Sequence, residues 1–513
     1  MLAKTRTAAL SGLESVLVDI DTDISSGLPY FNIIGLADTS VKESTERIKR
    51  AIINSGFNYP KNRITVNLMP AYMHKRGSHF DLGMAVGLLR ATGEIKAEKD
   101  DSHRIFIGEL SLDGEVMPVK TAFAITAGII DQEKGKINEI IMSYRNCREC
   151  SILTQNTGIS LIPARSLSQV ADHIRGRHIK AYDRSHEKNE DAGDTADIDF
   201  SDVKGHEEAK EAIAAAAAGG HSLLMIGPPG TGKTMMAKRI PGILPPMTAA
   251  EQIETFKIYS CAGMTGEDCC SKMKRPFRYV TRNISRAALT GGGRIPLPGE
   301  ISFAHNGILF MDEMLEIPQE IIEALREPME EKKVHIVRKE GSVVFPADFI
   351  FAGASNPCRC GYLGDPERTC TCSASEIRSY RSHLSGPMSD RIDICTEISR
   401  VDYERLMDRK SISTAEMKSW VETARNMQEE RFKGCAFRCN AKMPDSLTEE
   451  FCRLGNREAG FMREIYIDHG VSTRRYYKLL KVARTMADMR ESPDVRMEHL
   501  TAAFHYTRFL KKE

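Results

Sequence analysis

The sequence predicts an α/β protein of three parts, organised around a central domain with a parallel sheet. Short apolar strands alternate with helical patterns over the first 400 residues, and a glycine-rich turn joins a strand to a helix near residue 230. Helical periodicity dominates the remainder of the chain. A length of 513 residues also fits about three domains at ~150 residues each.

The N-terminal part, residues 1–180, is predicted to be an α/β domain. Ile64–Leu68 alternates like a strand, and Ile105–Gly108 is a second strand candidate. Val41–Asn54 has apolar residues near helical spacing, and Gly56 follows its end. This mixture of short strands and helices indicates an α/β layer.

The boundaries of the other parts follow from composition. Residues 181–199 are predicted to be an acidic, polar linker, because Asp183–Asp197 contains no Val, Ile, Leu or aromatic residue. Residues 200–400 are predicted to form the central α/β core. Residues 401–513 are predicted to be helical; Leu479, Ala483 and Met486 share one face, with Ser472 as a cap.

The near-zero net charge of the chain excludes attraction to nucleic acid through an overall positive charge. Lys and Arg number 71 against 70 Asp and Glu, so any nucleic-acid site must be a local patch. No apolar stretch approaches the ~18 residues of a spanning helix, and the N-terminus lacks an apolar signal-peptide run. We therefore expect a cytoplasmic protein without a membrane partner.

A phosphate-binding loop is the strongest motif. The strand Ser222–Ile226 precedes it, and a helix follows from Met235. Its residues match G-x-x-x-x-G-K-[ST]: Gly227, Pro228, Pro229, Gly230, Thr231, Gly232, Lys233 and Thr234. Lys233 is expected to neutralise the β- and γ-phosphates of ATP, and Thr234 to ligate Mg²⁺.

Two further strands end in polar residues suited to the same chemistry. Ile308–Met311 runs into Asp312 and Glu313, which are expected to hold Mg²⁺ and to polarise the attacking water, respectively. Ile350–Ser355 ends at Asn356, which could orient that water. For Asn356 the alternative is a turn residue before a proline.

Long strings of the sequence resemble the magnesium-chelatase-like branch of the AAA+ ATPases, of the ComM/YifB type. Besides Gly219–Thr234, they are Ala288–Ser302, Asn356–Gly361 and Ser385–Asp393. The resemblance implies ATP hydrolysis in a homohexameric ring with ATP at subunit interfaces. It also implies that Arg391 reaches a neighbour's γ-phosphate and that Arg474 contacts the nucleotide of its own subunit. The alternative for either arginine is a surface ion pair, for Arg391 with Asp390 or Asp393.

The same resemblance extends to the N-terminal part. Phe31–Ala37, Arg63–Leu68 and Gly108–Gly114 are similar to the family's N-terminal domain, which shares its fold with the proteolytic domain of Lon. The resemblance thus implies a Lon-like N-terminal domain and a C-terminal helical lid. The Lon catalytic positions fall near His79 and Phe123, so we expect a structural or protein-docking domain. A shifted dyad of Ser78 and Lys120 is the alternative.

Four clustered cysteines predict a zinc clip. Cys358, Cys360, Cys370 and Cys372 form two C-x-C pairs, and four thiolates satisfy tetrahedral zinc. The loop contains little apolar material that could order it otherwise. Free thiols and a redox disulfide are the alternatives.

Two basic stretches are candidates for binding DNA. Residues 332–345 read as a hairpin with Lys332, Lys333, Arg338 and Lys339. The resemblance implies that this hairpin faces the central pore of a ring, where six copies would concentrate its charge. The second stretch contains Lys272, Lys274, Arg275, Arg278 and Arg282. A solvated charged face is the alternative for both.

Three functions fit this sequence. The first is an ATP-driven DNA motor, a helicase or branch-migration remodeller acting on single-stranded or branched DNA, as the ComM-type resemblance implies. The second is an ATPase subunit of a magnesium chelatase, and the third is a protein-remodelling or Lon-accessory ATPase. All three use the same ATP and Mg²⁺ site.

Overall fold

The structure is a computed structural model that describes residues 2–96, 103–132, 135–155, 157–183, 198–265, 273–338, 341–407 and 411–508. Residues 184–197 of the predicted linker lie outside these ranges. The chain divides into two compact units. One contains Met1–Ala192 and Ala249–Met273, and the other contains Gly193–Thr248 and Lys274–Glu513.

The first unit contains two sheets and a small hairpin. Its strands are β1 (Leu2–Ser11), β2 (Glu14–Ser25), β3 (Tyr30–Ile34), β4 (Arg63–Met69), β5 (Arg104–Ile107), β6 (Glu109–Leu110), β7 (Val116–Met117), β8 (Glu139–Ser143) and β9 (Ser160–Ala164). The mixed sheet has the order β1-β2-β4-β3, and the parallel sheet has the order β5-β8-β9. The two strands predicted here, β4 and β5, are confirmed.

Five helices cover these sheets: α1 (Thr39–Asn54), α2 (Asp81–Ala91), α3 (Ala122–Gln132), α4 (Tyr144–Cys150) and α5 (Leu167–Ile174). The predicted helix α1 is confirmed, and it begins where the Asp38 side chain accepts a hydrogen bond from Val41 N. Every residue of α2 is buried, so this helix forms the middle of the core.

The second unit is centred on a parallel sheet. The remaining strands of the chain are β10 (Leu223–Ile226), β11 (Phe277–Val280), β12 (Gly291–Gly292), β13 (Leu297–Pro298), β14 (Ile308–Met311), β15 (Lys333–Arg338), β16 (Gly341–Pro346), β17 (Ile350–Ser355) and β18 (Ile394–Glu397). The parallel sheet has the order β11-β14-β17-β10-β18. Both faces of β10 and β14 are buried, which explains their uninterrupted apolar sequences.

The remaining helices are α6 (Glu207–Gly219), α7 (Lys233–Ala237), α8 (Ile240–Ile243), α9 (Ala249–Cys261), α10 (Arg286–Thr290), α11 (Glu300–Phe303), α12 (Gln319–Glu323), α13 (Arg326–Glu331), α14 (Ala374–Arg381), α15 (Gly386–Ser389), α16 (Tyr403–Leu406), α17 (Thr414–Arg431), α18 (Asp445–Phe451), α19 (Asn456–Asp468), α20 (Thr473–Met489) and α21 (Met497–Arg508). Within the described ranges, none of the helices combines the length and the hydrophobicity that a membrane-spanning segment requires.

Helix α9 belongs to the first unit although it lies in the 200–400 range of the sequence. Its Phe256 ring meets the Phe123 ring of α3 edge-on, with 4.5 Å between centroids. The Ala124 N–H also donates to Ser260 Oγ at 3.1 Å. Sequence position alone does not reveal these packing partners.

The C-terminal helices pack on the alanine-rich helix α6. Arg425 and Gln428 of α17 donate to the carbonyls of Ala217 and Ala218, at 2.8 and 3.2 Å, and so satisfy the last turn of α6. Helix α20 begins at Thr473 and is capped by Ser472, as predicted; the Ser472 side chain accepts a hydrogen bond from Arg475 N. Leu479, Ala483 and Met486 are all buried in the shared core.

Candidate nucleotide site

The phosphate loop occupies the predicted turn between β10 and α7. Gly230 and Gly232 have φ values of 81° and 85°, in the region that favours glycine. A β-carbon on Gly227 would lie 2.1 Å from Ile398 O, so this position requires glycine for a different reason, the close approach of two backbones. The loop thus has the backbone form that lets N–H groups surround a phosphate.

The remaining loop residues hold one another in place. Thr231 Oγ1 donates to Pro228 O at 2.9 Å. Pro229 is exposed at the tip, and Gly361 lies so close that a β-carbon there would be 2.8 Å from Pro229 Cδ. The cysteine-containing loop therefore touches the phosphate loop directly.

Lys233 is buried beneath the loop. Its ammonium donates to the carbonyls of Gly227 and Pro228 at 2.6 and 2.7 Å, and to Asn356 Oδ1 at 3.3 Å. Burial lowers the pKa of Lys233 to about 8, while the nearby Asp312 and Glu313 oppose the shift. The lysine is thus held at the loop by hydrogen bonds to oxygen atoms.

Asp312 faces the phosphate loop from the end of β14. Thr234 Oγ1 donates to Asp312 Oδ2 at 2.8 Å, and the Tyr279 hydroxyl donates to the same oxygen at 3.0 Å. Partial burial, with a smaller effect of Asp312, raises the pKa of Tyr279 to about 12. Hydroxyl and carboxylate oxygens side by side are the hard donors that Mg²⁺ prefers, so Thr234 and Asp312 fit the ion.

Glu313 has a strained backbone and an exposed side chain. Its φ and ψ are 49° and 41°, a left-handed conformation that is uncommon for residues other than glycine. Its N–H donates to Asp312 Oδ1 at 3.0 Å, and its carboxylate lies 4.0 Å from Arg282 Nη1. The turn directs this carboxylate away from the buried strand.

Asn356 completes the group at the end of β17, the strand between β10 and β14. Because the three strands are parallel, their carboxyl ends lie along one edge of the sheet. The structure therefore brings together Lys233, Thr234, Asp312 and Asn356, and Glu313 adjoins them.

The two predicted arginines lie elsewhere, and they share one carboxylate. Glu330 of α13 pairs with Arg391 through one oxygen and with Arg474 through the other. Arg391 also donates from Nε to Arg326 O at 3.1 Å and from Nη1 to Pro387 O at 2.8 Å. The intramolecular partner of Arg391 is thus Glu330 rather than Asp390 or Asp393. No sequence pattern marks Glu330.

Both arginines line a cavity of about 450 Å³ at the amino end of the parallel sheet. Gly220, His221 and Ser222, directly before β10, line the same cavity, and Ser222 Oγ donates to Arg391 O at 2.7 Å. The phosphate loop follows the other end of β10. The structure therefore does not bring Arg391 or Arg474 to the phosphate loop of its own chain.

The cysteine cluster assembles as the spacing predicts. The Sγ atoms of Cys358, Cys360, Cys370 and Cys372 all lie within 4.8 Å of one another. The closest pair, Cys358 and Cys360, is separated by 3.3 Å, well beyond the ~2.05 Å of a disulfide bond. The cluster is therefore a set of four converging free thiols.

The predicted hairpin is formed by β15 and β16. Lys333, His335 and Val337 share its exposed face, whereas Val334 and Ile336 point into the protein. Arg338 is also exposed, and Lys339 lies outside the described residues.

Lys332 does not join this surface, contrary to prediction. It has a left-handed backbone, is half-buried, and lies 4.0 Å from Asp348. We therefore leave Lys332 out of the candidate DNA surface, because its charge is directed at an intramolecular partner.

Much of the second basic stretch is satisfied within the chain. Arg275 donates to the carbonyls of Pro245 and Asn306 at 2.6 and 2.7 Å. Arg278 forms a two-pronged pair with Glu300 at 2.6 and 2.7 Å. Lys272 lies outside the described residues. Arg275 and Arg278 thus serve structural contacts, whereas the Arg282 side chain is 61% exposed. The loss of two charges of this stretch to the chain itself favours the hairpin as the nucleic-acid candidate.

The alternative peptidase dyad is not assembled in the first unit. Ser78 Oγ donates to the Glu109 carboxylate, whereas the Lys120 side chain packs beside Gly263. A serine–lysine dyad requires a nucleophile and base within hydrogen-bonding reach.

Comparison with known families agrees with this architecture. Family models match three segments: "Subunit ChlI of Mg-chelatase" over residues 20–146, "Magnesium chelatase, subunit ChlI" over 199–406, and "Magnesium chelatase, subunit ChlI C-terminal" over 411–507.

Three similar proteins align over nearly their full length. The uncharacterized protein YifB of Salmonella typhimurium and the competence protein ComM of Haemophilus influenzae are each 36% identical, covering 98% of this chain and 97% of the relative. The uncharacterized protein Mb2921c of Mycobacterium bovis is 34% identical over 96% of each chain. The chain belongs to the magnesium-chelatase-like ComM/YifB family, within the AAA+ ATPase superfamily.

Proposed function

We propose that this chain is an ATP-hydrolysing motor that assembles as a homohexameric ring and remodels single-stranded or branched DNA. The observation that carries the ATPase is the convergence of Lys233, Thr234, Asp312 and Asn356 at one edge of the parallel sheet. Such a site supplies fixed charge and dipoles, which is most of what phosphoryl transfer requires.

Each residue at this edge has a separate task. Bound MgATP supplies the phosphoanhydride bond and a cation that neutralises charge on the phosphates. Lys233 binds the terminal phosphates, and Thr234 and Asp312 provide the oxygen ligands for Mg²⁺. Glu313 accepts a proton from the attacking water, which Asn356 orients.

We propose that both arginines act on the neighbouring subunit's nucleotide. Arg391 and Arg474 sit together at the amino end of the sheet, and the phosphate loop of the same chain lies at the carboxyl end. A ring that joins these two ends of adjacent subunits would complete each site. This revises the expectation that Arg474 contacts the nucleotide of its own subunit.

The domain roles follow from the same assembly. We propose that residues 401–513 form a helical lid, which packs on α6 and carries Arg474, next to the 200–400 core. Residues 1–180 would be a Lon-like docking domain, joined by the linker 181–199. The Ser78–Glu109 contact supports docking over peptidase chemistry.

The exposed face of the β15–β16 hairpin is the proposed DNA contact. Lys333 and Arg338 supply charge, and Val337, which is 69% exposed, adds an apolar contact beside them. Repetition around a ring would concentrate these groups at a pore.

A magnesium-chelatase subunit is the second candidate, because all three family models carry that name. The two candidates differ in what stimulates hydrolysis. We expect single-stranded or branched DNA to raise the ATPase rate of the wild-type chain. If no DNA binds the chain or stimulates its ATPase activity in any nucleotide state, the chelatase function is favoured. If unfolded protein stimulates the ATPase activity, a protein-remodelling function is favoured.

The hairpin is tested with Lys333→Glu/Arg338→Glu. Basal ATPase activity should persist, and DNA affinity should fall. The salt dependence of that affinity should become shallower by a slope of about 0.7 (single strand) to 0.9 (duplex) per lost phosphate contact. Lys433→Glu/Arg453→Glu makes the same charge change at two other exposed positions and serves as control. Equal losses in both variants would remove the hairpin from the DNA site.

A further inference from the structure

The four-cysteine cluster lies next to the nucleotide site, on the loop that follows Asn356. Cys358 is buried, and Cys360, Cys370 and Cys372 are half-buried. Within the cluster, Cys358 and Cys370 are 3.7 Å apart and Cys360 and Cys370 are 3.5 Å apart. For zinc with Zn–S bonds of ~2.3 Å, a regular tetrahedron places the sulfurs about 3.8 Å apart.

We propose that these four thiolates bind one zinc ion, and that the zinc-closed loop supports the phosphate loop and fixes Asn356. Four sulfur ligands in a tetrahedron favour zinc, and they leave no ligand position for water, as in structural sites. Each thiol gives up its proton on binding. The zinc site stands by itself, whereas its effect on hydrolysis rests on the proposed function.

Contact with the phosphate loop is made by Gly361. This glycine follows Cys360 and has a φ of 86°, and its N–H donates to Cys358 O at 3.0 Å in a tight turn. Its α-carbon lies so close to Pro229 that a side chain would collide with the proline ring. A displacement of the Cys358–Cys360 turn would therefore change the packing of Gly361 against Pro229 at the tip of the phosphate loop.

Contact with the catalytic edge is made through the backbone. Only Pro357 separates Asn356 from Cys358, the first proposed metal ligand. Asn356 in turn accepts a hydrogen bond from Lys233 through its side chain. At the other end, Cys372 is followed by Ser373, the cap of α14, and α14 is tied back to β17 by the Tyr380–Ser355 hydrogen bond at 3.2 Å. The metal would thus close a loop whose two ends are already anchored.

The middle of the loop has contacts of its own, made by residues that lie between the two C-x-C pairs. Arg400 lies 2.9 Å from the buried carboxylate of Asp365 and 2.6 Å from that of Glu367. Asp365 Oδ1 also accepts from the N–H groups of Glu367 and Arg368 at 2.9 and 3.0 Å. Metal coordination is the stronger constraint, because it joins both C-x-C pairs at one point.

The first experiment measures zinc by mass spectrometry in protein purified under reducing conditions without added metal. Wild type should contain about one zinc per subunit, and Cys370→Ser/Cys372→Ser should contain almost none. Cys261→Ser/Cys435→Ser removes two half-buried thiols outside the cluster and should retain the ion. Wild type that remains without zinc after zinc addition, or a cluster variant that keeps it, would overturn the site.

The second experiment tests the coupling by hydrogen exchange of the full chain. Removing zinc from wild type with a chelator should increase amide exchange in residues 357–372 and also in residues 227–234. The β8 segment, Glu139–Ser143, serves as the internal reference. Faster exchange confined to residues 357–372 would overturn the coupling even if the metal is present.

A third variant separates the metal from its effect. Gly361→Ala keeps all four ligands but adds the colliding methyl group, so zinc content should stay near one while ATP affinity falls. The turnover rate should fall by up to about 10²-fold, the size expected when a positioned group is displaced by about 1 Å. Normal ATP binding and turnover with zinc retained would refute the coupling. Zinc content does not depend on the motor activity, so failure of the two proposals is distinguishable.

Discussion

Replacement of Arg391 by alanine tests whether one subunit completes its neighbour's active site. Arg391 is anchored at Ser222, before β10, and the phosphate loop begins after Ile226. Four strand residues at ~3.3 Å each separate the two by about 13 Å, more than an arginine side chain spans. This separation supports the proposal that Arg391 acts on the nucleotide of a neighbouring subunit.

The expected loss is large and confined to hydrolysis. An arginine supplied from another subunit or protein is worth about 10³–10⁵ in rate in other phosphate-loop enzymes. Arg391→Ala should therefore lower the turnover rate by at least about 10³-fold, while ATP binding changes little because Lys233 and Thr234 are intact. Loss of the Glu330 pair alone predicts almost no effect on turnover, because that pair lies at the amino end of the sheet, away from the phosphate loop of the same chain.

Mixed rings make the test decisive. Lys233→Ala subunits keep a sound Arg391, and Arg391→Ala subunits keep a sound phosphate loop, so random mixing in equal amounts should make about a quarter of the interfaces complete. A mixture of Lys233→Ala with Glu313→Gln is the control. It should stay inactive, because both of those residues belong to the same subunit's half of the site.

Steady-state ATPase assays are compared with native mass spectrometry, which reports subunit exchange. Recovery in the first mixture and none in the control is the expected result. If exchange is complete and the first mixture is no more active than its separate components, the proposed action in trans is refuted.

Two further predictions concern the phosphate loop and the adjoining acid. Glu313→Gln should bind ATP with near-normal affinity yet hydrolyse it at least about 10²-fold more slowly, because only water activation is lost. A wild-type rate of hydrolysis in single-turnover assays would contradict this role of Glu313. Burial sets the pKa of Lys233 at about 8, and phosphate binds the protonated lysine, so ATP affinity should fall about tenfold per unit above pH ~8. Calorimetry in buffers of different ionisation enthalpy should detect proton uptake on binding at pH ~9, and an affinity unchanged from pH ~7 to ~9 would contradict it.

The same lysine should affect folding stability in a defined direction. Its folded pKa lies below the unfolded value of 10.5, so the folded state binds fewer protons between pH ~8 and ~10.5. The cost of burying the charged form is fully present below pH ~8 and is relieved as the pH rises through that window.

Residue order was enough to predict the phosphate loop and its flanking elements. The loop requires a positive φ at residues 230 and 232, and the glycines in the sequence indicate this conformation directly. The apolar runs before Asp312 and Asn356 predict buried strands, because both faces of a parallel sheet are covered. The four cysteines converge because each C-x-C pair is short and local.

Contacts between segments far apart in the chain could not be predicted from local sequence patterns. Glu330 receives arginines that lie 61 and 144 residues further along the chain, and no local pattern selects it over other exposed glutamates. Lys332 looks equivalent to Lys333 in the sequence. However, Lys332 adopts a left-handed backbone conformation at the junction between α13 and β15, and this directs its side chain toward Asp348.

The sequence by itself determined which chemical groups this protein carries and the short elements that present them. The tertiary structure alone decided which ends of the parallel sheet those groups occupy. Lys233, Asp312 and Asn356 meet because β17 inserts between β10 and β14, and Arg391 and Arg474 are held at the opposite end by Glu330. The physical reason is that strand order and long-range ion pairs depend on packing between segments far apart in the chain, which local propensity does not encode.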